Sequence, residues 1–222
     1  MHDHLASFLE TRRDHRSFVV GIGGPVGAGK TTCLEKLSRI MSETVSLAAI
    51  TNDIYTTEDA VFMRENSNLP QDRIVGVETG GCPHTAIRED ASVNLSSIYE
   101  LEQRHEDLEL IFVESGGDNL TSSFSPELTD MWIFVIDVAE GDKIPKKGGP
   151  GVCVSDILVI NKYDLAPYVN ADLQRMEADA KAQRGDRPFV FLSMKEPSGY
   201  EELADMILQR YYAFVRAGKS TV

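Results

Sequence analysis

Cysteine is scarce: three residues, Cys33, Cys82 and Cys153, an odd number without framework spacing. That excludes a disulfide-stapled secreted scaffold and points to free thiols in a reducing cytosol. No run of 18 apolar residues occurs, so no membrane span is expected. The polar start, Met1-His2-Asp3-His4, lacks the apolar centre of a signal peptide, and residues 1–17 read as a flexible N-terminal segment of a cytoplasmic protein. Basic charge is also in deficit, with 22 Lys and Arg against 35 Asp and Glu and a net charge of −13. The densest basic cluster, Lys143, Lys146 and Lys147, is too small to reverse that field, so neither nucleic acid nor anionic lipid is an expected partner. Proteins, small phosphorylated ligands and metal cations remain.

The 222 residues suffice for one sizeable domain spanning the whole chain. Short Val- and Ile-rich runs at 18–22, 45–50, 74–78, 110–114, 132–137, 157–160 and 189–192 read as strands. Helices are expected at 30–41, 85–103, 171–184 and 200–215, the last with Leu203, Ile207 and Tyr211 spaced for core packing. Apolar strands alternating with helices predict an α/β fold, a mostly parallel sheet with helices on both faces. Residues 141–151, rich in Gly, Pro and Lys, read as a mobile loop.

Between the first strand and first helix stands Gly24-Pro25-Val26-Gly27-Ala28-Gly29-Lys30-Thr31, followed by Thr32. This fits the phosphate-binding loop of P-loop NTPases, in its required place. Its glycines let backbone N–H groups turn toward phosphates, and the helix N-terminus adds a favourable dipole. Lys30 would reach the β- and γ-phosphates and the Thr31 hydroxyl would bind Mg²⁺; the alternative is a chance Gly-rich turn.

Asn161-Lys162-Tyr163-Asp164 directly follows a strand. A carboxylate at 164 can accept from both N1–H and the exocyclic amine of guanine, a paired donor that adenine lacks. Lys162 can cover the base and Asn161 hold the loop. Alone this is a weak four-residue match, which a helix-start turn would also explain; downstream of a P-loop it selects guanine. Ser193 and Lys195, after the last strand, could touch the base edge or form a solvated turn.

Asp53, Glu78 and Glu114 each end an expected strand on the P-loop side of the sheet, where ligands of open α/β sheets bind. Together with Thr31 they are the candidate Mg²⁺ ligands. Glu114, in Phe112-Val113-Glu114-Ser115-Gly116-Gly117, takes the Walker B place. Lys30, Asp53 and Glu114 are the catalytic candidates, with Asp53 orienting the attacking water. For each carboxylate a helix cap or surface ion pair is the alternative.

Cys82-Pro83-His84 places a thiol and an imidazole on one side of an extended segment that proline stiffens. Two ligands make half a transition-metal site, and a two-fold dimer would complete a Cys₂His₂ set. Tetrahedral geometry would suit Zn²⁺ and square-planar geometry Ni²⁺ or Cu²⁺. A buried Cys beside a hydrogen-bonded His is the alternative. Cys33, on the first helix, reads as a small core residue.

Taken together, several segments carry a resemblance. They are Gly24 to Thr31, Thr51-Asn52-Asp53-Ile54-Tyr55-Thr56, the long block from Val77-Glu78 through Cys82-Pro83-His84 to Glu89-Asp90, Glu114-Ser115-Gly116-Gly117-Asp118-Asn119-Leu120, Gly141-Asp142-Lys143-Ile144-Pro145, and Asn161 to Asp164. In these the chain resembles the urease accessory GTPases, the UreG family of nickel-insertion proteins in the SIMIBI class. The resemblance implies that GTP and Mg²⁺ drive formation of a homodimer in which Cys82 and His84 of each subunit hold one Ni²⁺. Hydrolysis to GDP, slow in the isolated protein, would release nickel to apo-urease within a complex of other urease accessory proteins. A nickel metallochaperone would be the donor. Two positions depart from the pattern: Tyr163, where a smaller or aliphatic residue is expected, and Cys153, where a non-thiol is usual. The rival readings are the hydrogenase maturation GTPase, whose Cys-rich N-terminal motif is absent here, a P-loop small-molecule kinase, and a GTPase that only switches partners.

Overall fold

The computed structural model describes residues 17–53, 57–80, 85–117, 120, 122–193 and 195–219. Seven strands form one parallel sheet: β1 (Phe18–Gly23), β2 (Leu47–Asp53), β3 (Ile74–Glu78), β4 (Leu110–Glu114), β5 (Met131–Asp137), β6 (Ile157–Asn161) and β7 (Phe189–Phe191). Their order is β3-β2-β4-β1-β5-β6-β7, every neighbouring pair parallel. The expected P-loop NTPase architecture is thus the observed one.

Each central strand is apolar throughout because successive side chains enter two different layers. Val20, Ala49, Phe112, Val135 and Val159 pack against α1 (Lys30–Met41), α2 (Glu58–Asn66) and α8 (Ser198–Lys219), where Leu203, Ile207 and Tyr211 are buried as expected. Their neighbours Val19, Ala48, Ile111 and Val113 meet Leu95 and Ile98 of α3 (Ser92–Arg104) on the opposite face. Beyond β1, Phe134, Ile136, Leu158 and Ile160 form a third cluster with Met176 and Ala180 of α7 (Leu173–Arg184). Cys33 is fully buried in the first layer, and burial pushes its thiol up to about 12, a packing residue as expected. No helix among the described residues is long and apolar enough to cross a membrane.

Three segments differ from their sequence reading. Helix α2 buries only Ala60 and Met63, so its sequence lacks an apolar stripe to announce it. The helix expected over 85–103 is broken: a wide turn at Thr85–Glu89, with Asp90 N–H donating to the Thr85 carbonyl, precedes α3. Residues 141–151 are not one open loop. They contain α4 (Ile144–Lys147) and the start of α5 (Pro150–Val154), both against α7. An added Cβ on Gly149 would lie 2.5 Å from the Leu120 carbonyl oxygen, and one on Gly151 2.6 Å from the Phe134 ring. These glycines permit close packing, which composition alone presents as flexibility. The one-turn helix α6 (Ala166–Val169) follows the Asp164 turn.

The strand order reverses around β1, so the carboxyl ends of β4, β1, β5 and β6 frame one crevice. Glu114, the P-loop, Asp137 and Asn161 stand along it in that order.

Candidate nucleotide-binding site

The P-loop leaves β1 through Gly24, at φ 145°, where an added Cβ would lie 2.1 Å from the Val135 carbonyl oxygen. At Gly29, with φ 93°, it would lie 2.5 Å from Asn161 Nδ2. A side chain at Gly24 would have to move β5, and one at Gly29 would displace the Asn161 amide. No side chain caps α1 at Gly29, which leaves the first N–H groups of the helix open to an anion such as phosphate. Lys30 is buried, its Nζ donating to the Pro25 carbonyl across the loop at 3.1 Å. Val26 and Gly27 form the exposed rim, Ala28 is buried, and Pro25 and Thr32 are half-buried.

Thr31 is the centre of the acidic side of the site. Its Oγ1 lies 2.7 Å from Glu114 Oε1 and 3.0 Å from Asp59 Oδ1. One hydroxyl proton cannot serve two ionised carboxylates, so a second proton or a cation must stand among these groups. Glu114 is fully buried and its Oε2 has no hydrogen-bond partner among the described residues. Burial, then the Asp59 charge, push its carboxyl up to about 8 against the opposing influence of Lys30 and Thr31, with Asp53 adding to the rise. A hydroxyl with convergent carboxylate oxygens, one of them orphaned, suits a hard divalent cation. Thr31 and Glu114, with Asp59 beside them, would hold magnesium, which supplies positive charge to phosphate oxygens, while Asp53 acts on Glu114 through its charge.

Asp53 ends β2 and Glu78 ends β3, directly paired in register. Glu78 is exposed on the edge strand, and among the described residues no hydrogen bond or ion pair joins it to Thr31 or Glu114. Asp59, in the first turn of α2, occupies the place beside Thr31 instead. Sequence reading missed it because α2 itself was not legible. Behind the cluster, the buried Asn52 and Asn94 exchange amide hydrogen bonds of 3.1 and 2.9 Å. Asn52 also donates to the Glu114 carbonyl at 2.8 Å and Asn94 to the Ala86 carbonyl at 2.8 Å. That pair ties the end of β4 to the turn at Thr85–Glu89. Cys82 and His84, the expected transition-metal ligands, lie outside the described residues.

On the other side, Asn161 is buried at the end of β6 and its Nδ2 donates to the Ala28 carbonyl at 2.9 Å, locking the base loop to the P-loop. Its Oδ1 accepts from Lys162 N–H at 2.8 Å. Lys162 is held at φ 59°, in the left-handed region, and its Nζ reaches the Gly27 carbonyl and, at 2.8 Å, Asp137 Oδ2. Asp137 also accepts from the Ala139 and Glu140 amides, an anchoring role the sequence reading did not assign. Asp164 Oδ1 accepts from Ser193 Oγ at 2.7 Å and its Oδ2 pairs with Lys195 Nζ at 3.0 Å. The Ser193 hydrogen bond, then Lys195, hold the carboxyl below the usual range, so it stays ionised as a bidentate acceptor must. The fold therefore brings Ser193 and Lys195 to Asp164, with Ser193 buried and the Lys195 side chain exposed.

The Glu114 environment has a measurable consequence. Without metal the folded protein retains this proton to about pH 8, whereas an unfolded chain releases it near 4.5. The folded state then binds the extra proton between those values, so its stability falls as pH rises through that window. Glu140, whose carboxylate oxygens have no partner among the described residues, is pushed up to about 7 by burial and then by Asp137, and adds the same sign lower in the range. In the absence of Mg²⁺ and nucleotide, thermal melts should show a decline toward pH 8 that Glu114→Gln flattens at its upper end. An unchanged pH profile in that variant would contradict this account of the acidic cluster.

Residues 18–191 match the family model described as the CobW/HypB/UreG nucleotide-binding domain. Among solved structures, the chain is similar to HypB from Helicobacter pylori in complex with nickel, with a TM-score of 0.76 and 21% identity over 94% of this chain and 93% of that one. It is similar also to the hydrogenase maturation factor HypB from Archaeoglobus fulgidus, with a TM-score of 0.72 and 25% identity over 94% and 98%. A LAO/AO transport system kinase superposes with a TM-score of 0.56 and 20% identity, over 98% of this chain and 67% of that one.

Proposed function

The chain belongs to the CobW/HypB/UreG family of P-loop GTPases, and from that premise we propose that it is a GTP-gated nickel-insertion protein serving urease maturation. The observation that carries the nucleotide half is the Asn161–Ala28 link, with Ser193 and Lys195 converging on Asp164: phosphate cradle and guanine-reading carboxylate form one site. The metal half is supported by Cys82-Pro83-His84, adjoining the segment that ends β3 beside Asp53. It is supported too by a fold relative crystallised with nickel.

In this reading Lys30 and the P-loop amides bind the phosphates, and Thr31, Glu114 and Asp59 would hold the magnesium ion that accompanies them. Asp53 orients the attacking water. Glu78 and the Asn52–Asn94 bridge pass the nucleotide state to residues 82–84, so that two copies of Cys82 and His84 close around one Ni²⁺ and release it after hydrolysis. Apo-urease is the recipient, other urease accessory proteins form the complex, and a nickel metallochaperone is the donor. A second reading, a hydrogenase maturation GTPase, is favoured by the two HypB neighbours and shares the same chemistry. Restoration of urease rather than hydrogenase activity in cells lacking the respective GTPase separates the two.

Light scattering with GDP or a non-hydrolysable GTP analogue, each with and without Ni²⁺, tests the clamp. A mass of twice the 24.6 kDa monomer is expected only with the analogue and Ni²⁺, and should be lost in His84→Ala. A monomer in every condition would remove the shared metal site. Glu78→Ala should retain GDP binding yet uncouple nickel affinity from nucleotide; an undiminished response to the analogue would rule Glu78 out as the link.

A further inference from the structure

Asn52 and Asn94 place two amides in a layer that is otherwise apolar. Along β2, Ala48 and Ile50 enter the layer under α3, and alternation carries Asn52 to the same face, where it meets Asn94 of α3. Both side chains are fully buried, and every amide N–H is used. Asn52 Nδ2 donates to Asn94 Oδ1 and to the Glu114 carbonyl; Asn94 Nδ2 donates to Asn52 Oδ1 and to the Ala86 carbonyl. Turning either amide over would set its oxygen against a carbonyl 2.8 Å away, so each orientation is fixed. Packing alone does not call for amides among Val, Ile and Leu; what distinguishes the place is that it backs onto Glu114. Alternation after Leu110 and Phe112 puts the Glu114 side chain on the α1 face, where its carboxylate meets Thr31 Oγ1 at 2.7 Å. Asn52 holds the Glu114 main chain from the opposite face.

We propose that Asn94 is a positioning residue for magnesium, acting from the far face of the sheet through Asn52 and the Glu114 main chain. The proposal rests on the reading of Thr31 and Glu114 as magnesium ligands. A carboxylate holds a cation well only while its backbone keeps it in place, and loss of such an outer partner costs on the order of 10- to 100-fold in metal affinity. The anchor on the far side is the turn at Thr85–Glu89. Asn94 holds its Ala86 carbonyl, and Ser125 N–H donates to its Ile87 carbonyl at 2.8 Å. A cation that fixes Glu114 therefore also tightens this turn, because coupling between two sites is reciprocal.

The test titrates Mg²⁺ into the full chain with a fluorescent, non-hydrolysable GTP analogue, for the parent, Asn94→Leu, Asn52→Leu and the double variant. Asn94→Leu should raise the Mg²⁺ concentration for half-maximal binding roughly tenfold and leave analogue binding in EDTA within about twofold. Asn52→Leu should do the same, and the double variant should lose no more than the worse single one, because both cut one link. Leu101→Ala, which opens a void two turns along α3, should lower the melting temperature and leave the magnesium midpoint within about twofold. An unmoved midpoint in Asn94→Leu, an equal shift in Leu101→Ala, or additive losses would overturn the proposal. The parent alone gives a second measurement. With the analogue bound, magnesium should slow amide exchange across Thr85–Asp90 by about threefold, the Asp90 N–H donating there to the Thr85 carbonyl at 2.8 Å. Unchanged exchange in that turn would equally overturn it. An analogue affinity indifferent to magnesium in the parent would instead remove the magnesium reading of Thr31 and Glu114, a result visible before any variant is made. Nickel, dimer formation and urease enter neither measurement.

Discussion

Asp164→Asn should weaken GDP binding by roughly a thousandfold and shift preference toward xanthosine diphosphate, because the substitution replaces one of two acceptors by a donor. Guanine offers two donors, N1–H and the exocyclic amine, so an amide can satisfy one and must oppose the other. Xanthine carries a carbonyl in place of that amine and accepts what the amide donates. The loss is large because the polar edge of the base would be buried facing a like group. Ser193 Oγ can still donate to the carbonyl oxygen of the substituted amide, so the turn survives and the effect is on recognition. Competition of GDP, XDP and ADP against a fluorescent nucleotide decides the matter. A decrease below tenfold would mean that Asp164 does not read the base.

Arg184→Met is expected to be the most damaging single change away from the site. Arg184 is 2% exposed at the end of α7. It donates to the carbonyls of Val152, Ser155, Asp156 and Pro188 and to Ser155 Oγ at 3.0 Å. One side chain thus ties together backbone carbonyls just ahead of β6 and of β7, of which that of Pro188 also accepts from a backbone donor, the Leu158 N–H at 3.2 Å. Methionine approximates its length and offers no donor, so the Val152, Ser155 and Asp156 carbonyls lose the guanidinium, at a cost of about 3–5 kcal/mol. For a domain of this size that corresponds to a melting temperature lower by about 10 °C. Urea denaturation should show the same loss. A change below about 1 kcal/mol would show that water replaces the guanidinium at these carbonyls.

Arg184 also shows how little a residue's type reveals of its role. In the sequence it is one more cation in the last turn of a charged helix, where surface exposure is the ordinary outcome. Asp59, Asn94 and Asp137 were illegible for related reasons. Asp59 lies on a helix without an apolar stripe, Asn94 is a lone amide within an amphipathic helix, and Asp137 is a strand-ending acid like several others. Residues 141–151 were misread in the opposite direction, because glycine is used both for mobility and for close approach, and only the neighbouring Leu120 and Phe134 distinguish the two.

The phosphate cradle, the base-reading loop and the alternation of strand with helix were determined by the sequence alone. Each is local: Gly24, Gly29, Lys30 and Thr31 act through backbone geometry within one strand–turn–helix, and Asn161 to Asp164 within one turn. Which carboxylates stand together and what holds Asp164 in place were decided by tertiary structure. Parallel strands bring residues 31, 59 and 114, or 27, 137 and 162, within hydrogen-bonding distance only after the sheet has chosen its order and register. Those choices come from burying both faces of the sheet at once, a property of the whole assembly of strands that no single segment carries.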